Sequence, residues 1–377
     1  MSNHPMDDRL SQSLERRIAS HSLRTLSLDR APVDFYSNDY LGIATYGLPL
    51  PYGESPTEVQ RPGSSGSRLL SGNYQAIEEL EEYAADFHRT EAALVFNSGY
   101  DANLGLLACI ASKESGILYD ELCHASILDG IRLSYAGTKL KFAHNDLNDL
   151  EKKLQGLTGT SIIIVAESVY SMDGDWAPLQ ELVQLASRYG AMLIIDEAHA
   201  TGIWGDQGKG LVQHLKLEKE VYARIHTFGK AMGGHGAAVV GSHILKEYLI
   251  NFARSFIYTT ALPPHTVNFV RQVYEYFSSP SFSNKPLHDL ITHFNKRLEK
   301  SPLPGWKKKG SAIQSVVIGD PLKAKAAAAA AVNAGMQVNA IVHPSVAKGT
   351  ERLRICLHAF NTSGQVDELI RVLEKCL

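Results

Sequence analysis

Between residues about 74 and 250 the chain returns repeatedly to short, unbroken apolar runs. These are Ala93-Leu-Val-Phe96, Gly116-Ile-Leu-Tyr119, Ile162-Ile-Ile-Val-Ala166, Met192-Leu-Ile-Ile195 and Ala237-Ala-Val-Val240. A strand with one wet face alternates apolar and polar residues, whereas continuous runs suit strands buried on both faces of a parallel sheet. Helical periods between many of the runs, for example over 175–189, supply the crossovers that parallel strands need. The expectation is an α/β chain whose large domain holds a mainly parallel sheet covered by helices. At 377 residues the chain exceeds the usual size of one domain. After Pro263-Pro264 a helix is expected to lead into a smaller α/β unit holding Val316-Val-Ile318, an alanine-rich helix over 326–331 and Arg352-Leu-Arg-Ile-Cys-Leu357. The expected division is an N-terminal helix and arm over 1–41, a large domain over 42–280 and a small C-terminal domain over 281–377.

Ligands of such sheets lie beyond the carboxyl ends of the strands. That is where Ser98-Gly99-Tyr100, Glu167-Ser168, Ser171, Asp196 and His199 fall. Further on, Lys230 sits in the glycine-rich stretch His226-Thr-Phe-Gly-Lys230-Ala-Met-Gly-Gly-His-Gly236. A carboxylate, a histidine close behind it and an accessible lysine are the groups that pyridoxal phosphate chemistry requires. The lysine carries the cofactor covalently, Asp196 holds the pyridine nitrogen protonated, and His199 lies beside the ring. Each residue has a plainer reading: Asp196 as a helix N-cap, His199 as a buried histidine, Lys230 as an exposed loop residue. Their combination favours the cofactor. A nucleotide-binding P-loop is excluded, because Arg224 stands where its first glycine belongs and Ala231 follows the lysine.

Gly99 and Tyr100 open a helix after a strand, so their amides are placed to bind phosphate, although such turns also occur without ligand. His124 offers an aromatic face for the ring. Ser171 and Thr227 offer hydroxyls to the ring oxygen or phosphate, the alternative being a bond to their own backbone.

A formal charge of −3, with 20% charged and 44% hydrophobic residues, gives no basic surface for nucleic acid or anionic membrane. The four cysteines, Cys109, Cys123, Cys356 and Cys376, have no CxxC spacing and are expected to be buried free thiols, with no metal site. The N-terminus lacks the apolar core of a secretory signal, and no apolar run approaches the roughly 18 residues of a membrane span. A cytoplasmic protein is expected.

The chain resembles the α-oxoamine synthases, pyridoxal phosphate enzymes of fold type I. The resemblance runs almost end to end, through Ser37-Asn-Asp-Tyr-Leu-Gly42, His124-Ala-Ser-Ile-Leu-Asp-Gly130, Phe142-Ala-His-Asn-Asp146 and Ser171-Met-Asp-Gly-Asp175. It continues through Asp196-Glu-Ala-His-Ala-Thr-Gly202, Thr227-Phe-Gly-Lys230, Ile257-Tyr-Thr-Thr260 and Gly349-Thr-Glu-Arg-Leu-Arg354. It implies a decarboxylative condensation of an amino acid with an acyl thioester, of CoA or of acyl-carrier protein. The fullest match is to the condensation of L-alanine with a pimeloyl thioester. Glycine with acetyl-CoA and serine with a long acyl chain use the same chemistry, while an aminotransferase or a non-catalytic cofactor-binding scaffold would not release the thiol.

By this resemblance Lys230, Asp196, His199 and His124 are catalytic. Gly99, Tyr100 and Thr227 hold the phosphate, joined by Thr260 from the neighbouring subunit of a homodimer with a shared site, and Ser171 and His199 contact the ring hydroxyl. Asn38 and Arg354 match positions that hold the amino-acid carboxylate, where a guanidinium fork suits two oxygens. Arg24, Ser345 and His124 complete the substrate-binding set. The chain departs from the family pattern in a short segment between Gly42 and Gly63. It departs again at Val342 and His343, where biotin-pathway members carry an arginine before two prolines.

Overall fold

The computed structural model describes residues 5–26, 28, 30–48, 62–157, 161–301, 303, 305–306 and 308–377. Contacts divide it into two compact units. The larger comprises 38–171 and 175–285; the smaller comprises 1–37, 172–174 and 286–377.

Seven strands form the sheet of the larger unit: β1 (Ala92–Phe96), β2 (Ser115–Asp120), β3 (Thr138–Phe142), β4 (Ser161–Glu167), β5 (Met192–Asp196), β6 (Ala223–Thr227) and β7 (Ala237–Gly241). Their spatial order is β1-β7-β6-β5-β4-β2-β3. All neighbouring pairs are parallel except those made by β7, which runs against both β6 and β1. The expected mainly parallel α/β architecture is therefore present. Strands β3 and β6 were not legible as apolar runs. The first is an edge strand with half-exposed residues, and the second carries Arg224 and His226 into the core.

Alternate residues of each strand feed opposite faces. On one face Leu94, Ile117, Ile163, Ile194, Ile225 and Val239 pack with Leu106, Ile127 and Leu249 of helices Gly99–Cys109, Ala125–Leu133 and His243–Phe252. On the other, Leu118, Ile162, Ile164, Leu193 and Ile195 meet Leu150, Leu179 and Leu182 of helices Leu147–Gln155 and Leu179–Arg188. Nearer the β1 edge, Ala93, Val95, Ala238 and Val240 meet helices Gln75–Phe87 and Pro264–Ser278 through Leu80, Val270 and Tyr274. The helix expected over 175–189 starts only at Leu179, because Asp175 and Trp176 are held in the preceding loop.

In the smaller unit, β8 (Ile313–Val317), β9 (Asn339–Ile341) and β10 (Arg352–Cys356) form an antiparallel sheet in the order β9-β10-β8. The alanine-rich helix runs over Pro321–Asn333 and buries Ala324, Ala327, Ala328 and Ala331. Asp320 caps it by accepting the Lys323 N–H. At the start of the chain the polar helix spans Pro5–Ala19. The segment after Gly42 holds one brief helix, Ile43–Tyr46, while 49–61 lie outside the described residues.

All four cysteines are free thiols, but burial holds fully only for Cys123 and Cys356. Cys109 is half-buried and Cys376, in the last turn of the C-terminal helix, is exposed. Among the described residues no helix is long and apolar enough to cross a membrane.

Candidate active site

Parallel strands deliver their carboxyl ends to one edge of the sheet. Glu167 closes β4 in register with Asp196, which closes β5; β6 ends at Thr227, and helix Gly99–Cys109 begins just beyond β1. These ends border a cavity of about 270 Å³, lined by Gly99, Tyr100, His124, Asp196, His199, Thr227 and Lys230. These seven residues singled out in the sequence, with Ser98 from the same strand end as Gly99, thus meet in one place. Asn103 and Glu167 line it too.

Asp196 is buried. Its Oδ1 accepts the Ala198 N–H at 2.8 Å and its Oδ2 accepts from Asn103 Nδ2 at 2.7 Å. This fixes the carboxylate's orientation with acceptor capacity to spare. Behind it the buried Glu197 accepts the N–H groups of Leu211 and Val212 at 2.8 and 2.7 Å and so braces the turn that carries His199. Tyr40 donates to Asn38 Oδ1 at 3.1 Å and lies 2.7 Å from His199 Nδ1. A hydroxyl has one hydrogen, so Nδ1 is the donor in that second contact.

His124 caps helix Ala125–Leu133. Its Nδ1 accepts the Ser126 N–H at 3.2 Å. Burial pulls its imidazole below the usual range, and the charge of Lys230 adds to this against the pull of Asp196. A neutral ring is the form that stacks well. Its backbone N–H donates to Glu167 Oε1 at 2.5 Å. Burial first, then the charge of Asp196, pushes the Glu167 carboxyl up to about 8.

Lys230 stands in the turn that joins β6 to β7. Gly233 N–H closes onto Lys230 O at 2.9 Å and Gly234 N–H onto Phe228 O at 2.8 Å. Gly233 has φ +62° and an added Cβ would lie 2.5 Å from the Ala44 nitrogen, so the tight turn requires glycine there. Two observations about residues lining the same cavity concern an anion. Thr227 Oγ1 is buried without a hydrogen-bond partner among the described residues. The first amides of helix Gly99–Cys109 open beside it, where Gly99 approaches so closely that a Cβ would lie 2.4 Å from Thr227 Cγ2. A carboxylate, a neutral histidine face, an amine and an anion cradle with an orphaned hydroxyl fit a phosphorylated pyridine.

The other residues from the sequence lie elsewhere. Ser171 and Asn38 belong to the same unit but do not line the cavity, Asn38 reaching it through Tyr40. Thr260 is exposed and its carbonyl accepts from Asn97 Nδ2 at 2.6 Å. Arg24, Ser345 and Arg354 belong to the smaller unit, where Arg24 donates to Ser345 Oγ at 3.2 Å and Arg354 is buried in β10. Asn103 and Tyr40 were not given a role, and Glu167 was placed only as a polar residue at a strand end. Asn103 carried a helical signal, one turn after Gly99 and therefore on the same side of its helix.

The family model for class I and II aminotransferases matches residues 32–373. The 8-amino-7-oxononanoate synthase of Emericella nidulans is 39% identical, over 97% of this chain and 94% of that protein. The 8-amino-7-oxononanoate synthase 2 of Bacillus subtilis is 36% identical, over 97% and 96%. Among solved structures, a serine palmitoyltransferase variant from S. paucimobilis with bound PLP matches with a TM-score of 0.86 at 26% identity, covering 99% of this chain and 98% of that one. The 8-amino-7-oxononanoate synthase of Francisella tularensis matches with a TM-score of 0.75 at 28% identity, covering 91% and 97%. The chain belongs to the class I and II aminotransferase family, in its α-oxoamine synthase branch.

Proposed function

We propose that this chain is a pyridoxal-phosphate-dependent acyltransferase. It joins L-alanine to a pimeloyl thioester, of CoA or of acyl-carrier protein, and yields 8-amino-7-oxononanoate, CO2 and the free thiol. The observation that carries the reading is the meeting of Lys230, Asp196, His199, His124 and Thr227 around one cavity in a chain with near full-length likeness to 8-amino-7-oxononanoate synthases. Pyridoxal phosphate, when bound, withdraws electrons from the substrate's α carbon. Lys230 would anchor it, and its ε-amine is the base that would take the substrate's α proton and later return one at the same carbon. Asp196 keeps a proton on the ring nitrogen, with Asn103 and the Ala198 amide holding the carboxylate still. His124, which lines the cavity, would cover one face of the ring. Gly99, Tyr100 and Thr227 would bind the phosphate, and His199, set by Tyr40, would attend the ring hydroxyl, with Ser171 assigned to the same group from just outside the lined cavity.

Arg354, Asn38, Arg24 and Ser345 are assigned to the substrates, and Thr260 to the site of the partner subunit in a homodimer. Free thiols at all four cysteines suit a cytoplasmic setting. Serine with a long acyl chain is the second reading, favoured by the likeness to serine palmitoyltransferase structures; the higher sequence identity to the oxononanoate synthases decides against it.

The test is incubation with pyridoxal phosphate and alanine, glycine or serine, each against pimeloyl-CoA and acetyl-CoA, with thiol release and the product mass measured. Thiol release with alanine and pimeloyl-CoA alone supports the reading, whereas release with serine or glycine pairs moves the substrate. The phosphate assignment has its own check. Gly99→Val places carbon where Thr227 already stands, so the cofactor's dissociation constant is expected to rise about tenfold or more, on the order of 1.4 kcal/mol. Titration of the apoenzyme with pyridoxal phosphate reads it, and an unchanged constant removes Gly99 from the cradle.

A further inference from the structure

His144 lies outside the cavity, yet two segments that border the proposed chemistry hang from it. It follows β3 at the edge of the sheet, and its ring is set between two carboxylates. Nδ1 is 3.0 Å from Asp120 Oδ1, at the end of β2, and Nε2 is 2.7 Å from Asp175 Oδ2, in the loop after β4. Asp120 is fully buried. Ionised carboxylates only accept, so satisfying both contacts requires hydrogen on both ring nitrogens, which is the imidazolium. Tyr170 stands perpendicular to the ring, with centroids 4.5 Å apart. Asn145, in the left-handed region at φ 55°, adds Nδ2 bonds to Asp175 Oδ2 and Trp176 O, both 3.1 Å.

The two carboxylates lead to different parts of the site. Asp120 Oδ1 also accepts the Leu122 N–H at 2.8 Å and Oδ2 the Asn145 N–H at 2.9 Å, which pins the turn that ends in His124. Asp175 closes the loop that starts at Ser171. In its middle, Asp173 pairs with Arg352 and Lys309 within the smaller unit.

From this geometry we infer that His144 is a positioning residue: its imidazolium ties the turn carrying His124 to the loop carrying Ser171, and so sets both at the cofactor. The inference rests on the cofactor role proposed for these two residues. The groups facing the ring support a lasting charge. They are Asp120, Asp175, Tyr170 and Asn145, together with Glu121, whose carboxylate accepts the His144 backbone N–H at 3.3 Å. Burial alone would lower the imidazole's proton affinity; the hydrogen bonds and charges of Asp120 and Asp175 override it and raise the pKa to about 10.

The sign for stability follows from linkage. A group whose pKa is raised in the folded state stabilises most below its unfolded value of about 6.5, and the benefit is lost as pH rises through about 10. The native protein's unfolding temperature is therefore expected to fall over that window, with a shallower fall in His144→Gln.

Two variants test the positioning role. Asp175→Ala removes the acceptor on the loop side of the clamp and leaves His144 paired with Asp120, so it folds where His144→Gln, which strands the buried Asp120 charge, is more exposed to failure. Both are loaded with pyridoxal phosphate and compared with the native enzyme. Expected are a changed induced circular dichroism of the bound cofactor and a kcat about 10- to 100-fold lower, as for a small misplacement of site groups. KM for the thioester should stay within about twofold, because uniform binding is untouched. A lower unfolding temperature with native kcat and native dichroism in Asp175→Ala would show a merely structural role and overturn the inference. If the native protein binds the cofactor but releases no thiol with any substrate pair, the proposed reaction fails instead, and the dichroism alone decides the clamp.

Discussion

Lys230→Ala is expected to lower turnover by at least about 10³-fold, equivalent to roughly 4 kcal/mol of transition-state stabilisation. The variant should also lose the visible absorption of lysine-bound cofactor. Both effects have one cause, because the same ε-amine anchors the cofactor and carries the α proton. The fold should survive. Lys230 meets the turn's backbone through its own carbonyl, which accepts the Gly233 N–H and is unchanged in alanine. Lys230→Arg makes the discrimination sharper, since a guanidinium keeps the positive charge but neither forms the link nor cycles a proton near neutral pH. Thiol release, the absorption spectrum and an unfolding curve measure the three quantities. A Lys230→Ala protein that kept a tenth of native turnover would sink the proposed role.

Asp196→Asn is expected to cost about 10²- to 10³-fold in kcat, the usual scale for removing one preorganised electrostatic partner. The amide can still accept the Ala198 N–H through its oxygen, but its NH2 then faces the NH2 of Asn103, which now donates to Oδ2 at 2.7 Å. Charge is lost and one hydrogen bond becomes a donor–donor contact. A second readout follows from the neighbouring carboxyl. The negative charge of Asp196 helps push Glu167 up to about 8, behind the larger effect of burial. Removing that charge should lower the Glu167 pKa. Steady-state kinetics read the first effect and the carboxyl resonance of labelled Glu167 the second. A kcat within about threefold of native would show that Asp196 does not control the ring nitrogen.

The apolar runs of strands that lie inside the sheet were legible almost to the residue. Met192-Leu-Ile-Ile195 is β5 short of its terminal carboxylate. β3 was not, because its sequence, Thr-Lys-Leu-Lys-Phe, belongs to an edge strand whose lysines reach water. β6 was hidden for the opposite reason. Its Arg224 and His226 are buried, and only distant partners make that tolerable: Arg224 donates to His88 O at 2.6 Å, and His226 lies 2.8 Å from Thr201 Oγ1 and stacks on His88 at 3.6 Å. Local pattern reports the average environment of a segment, and these two strands depend on what stands across from them.

From sequence alone came the chemical types of the site and their order: carboxylate and histidine after one strand, lysine after the next, small residues at a helix start. Runs of apolar residues placed those groups at strand ends, and parallel pairing sends such ends to one edge. Only the tertiary structure chose their partners. Asn103 for Asp196, Tyr40 for His199, Glu167 for the His124 amide and His144 between Asp120 and Asp175 are contacts between residues far apart in the chain. A side chain's periodicity records which face it occupies, whereas its hydrogen-bond partner depends on strand order and on the path of each crossover, and these are settled only when the whole sheet assembles.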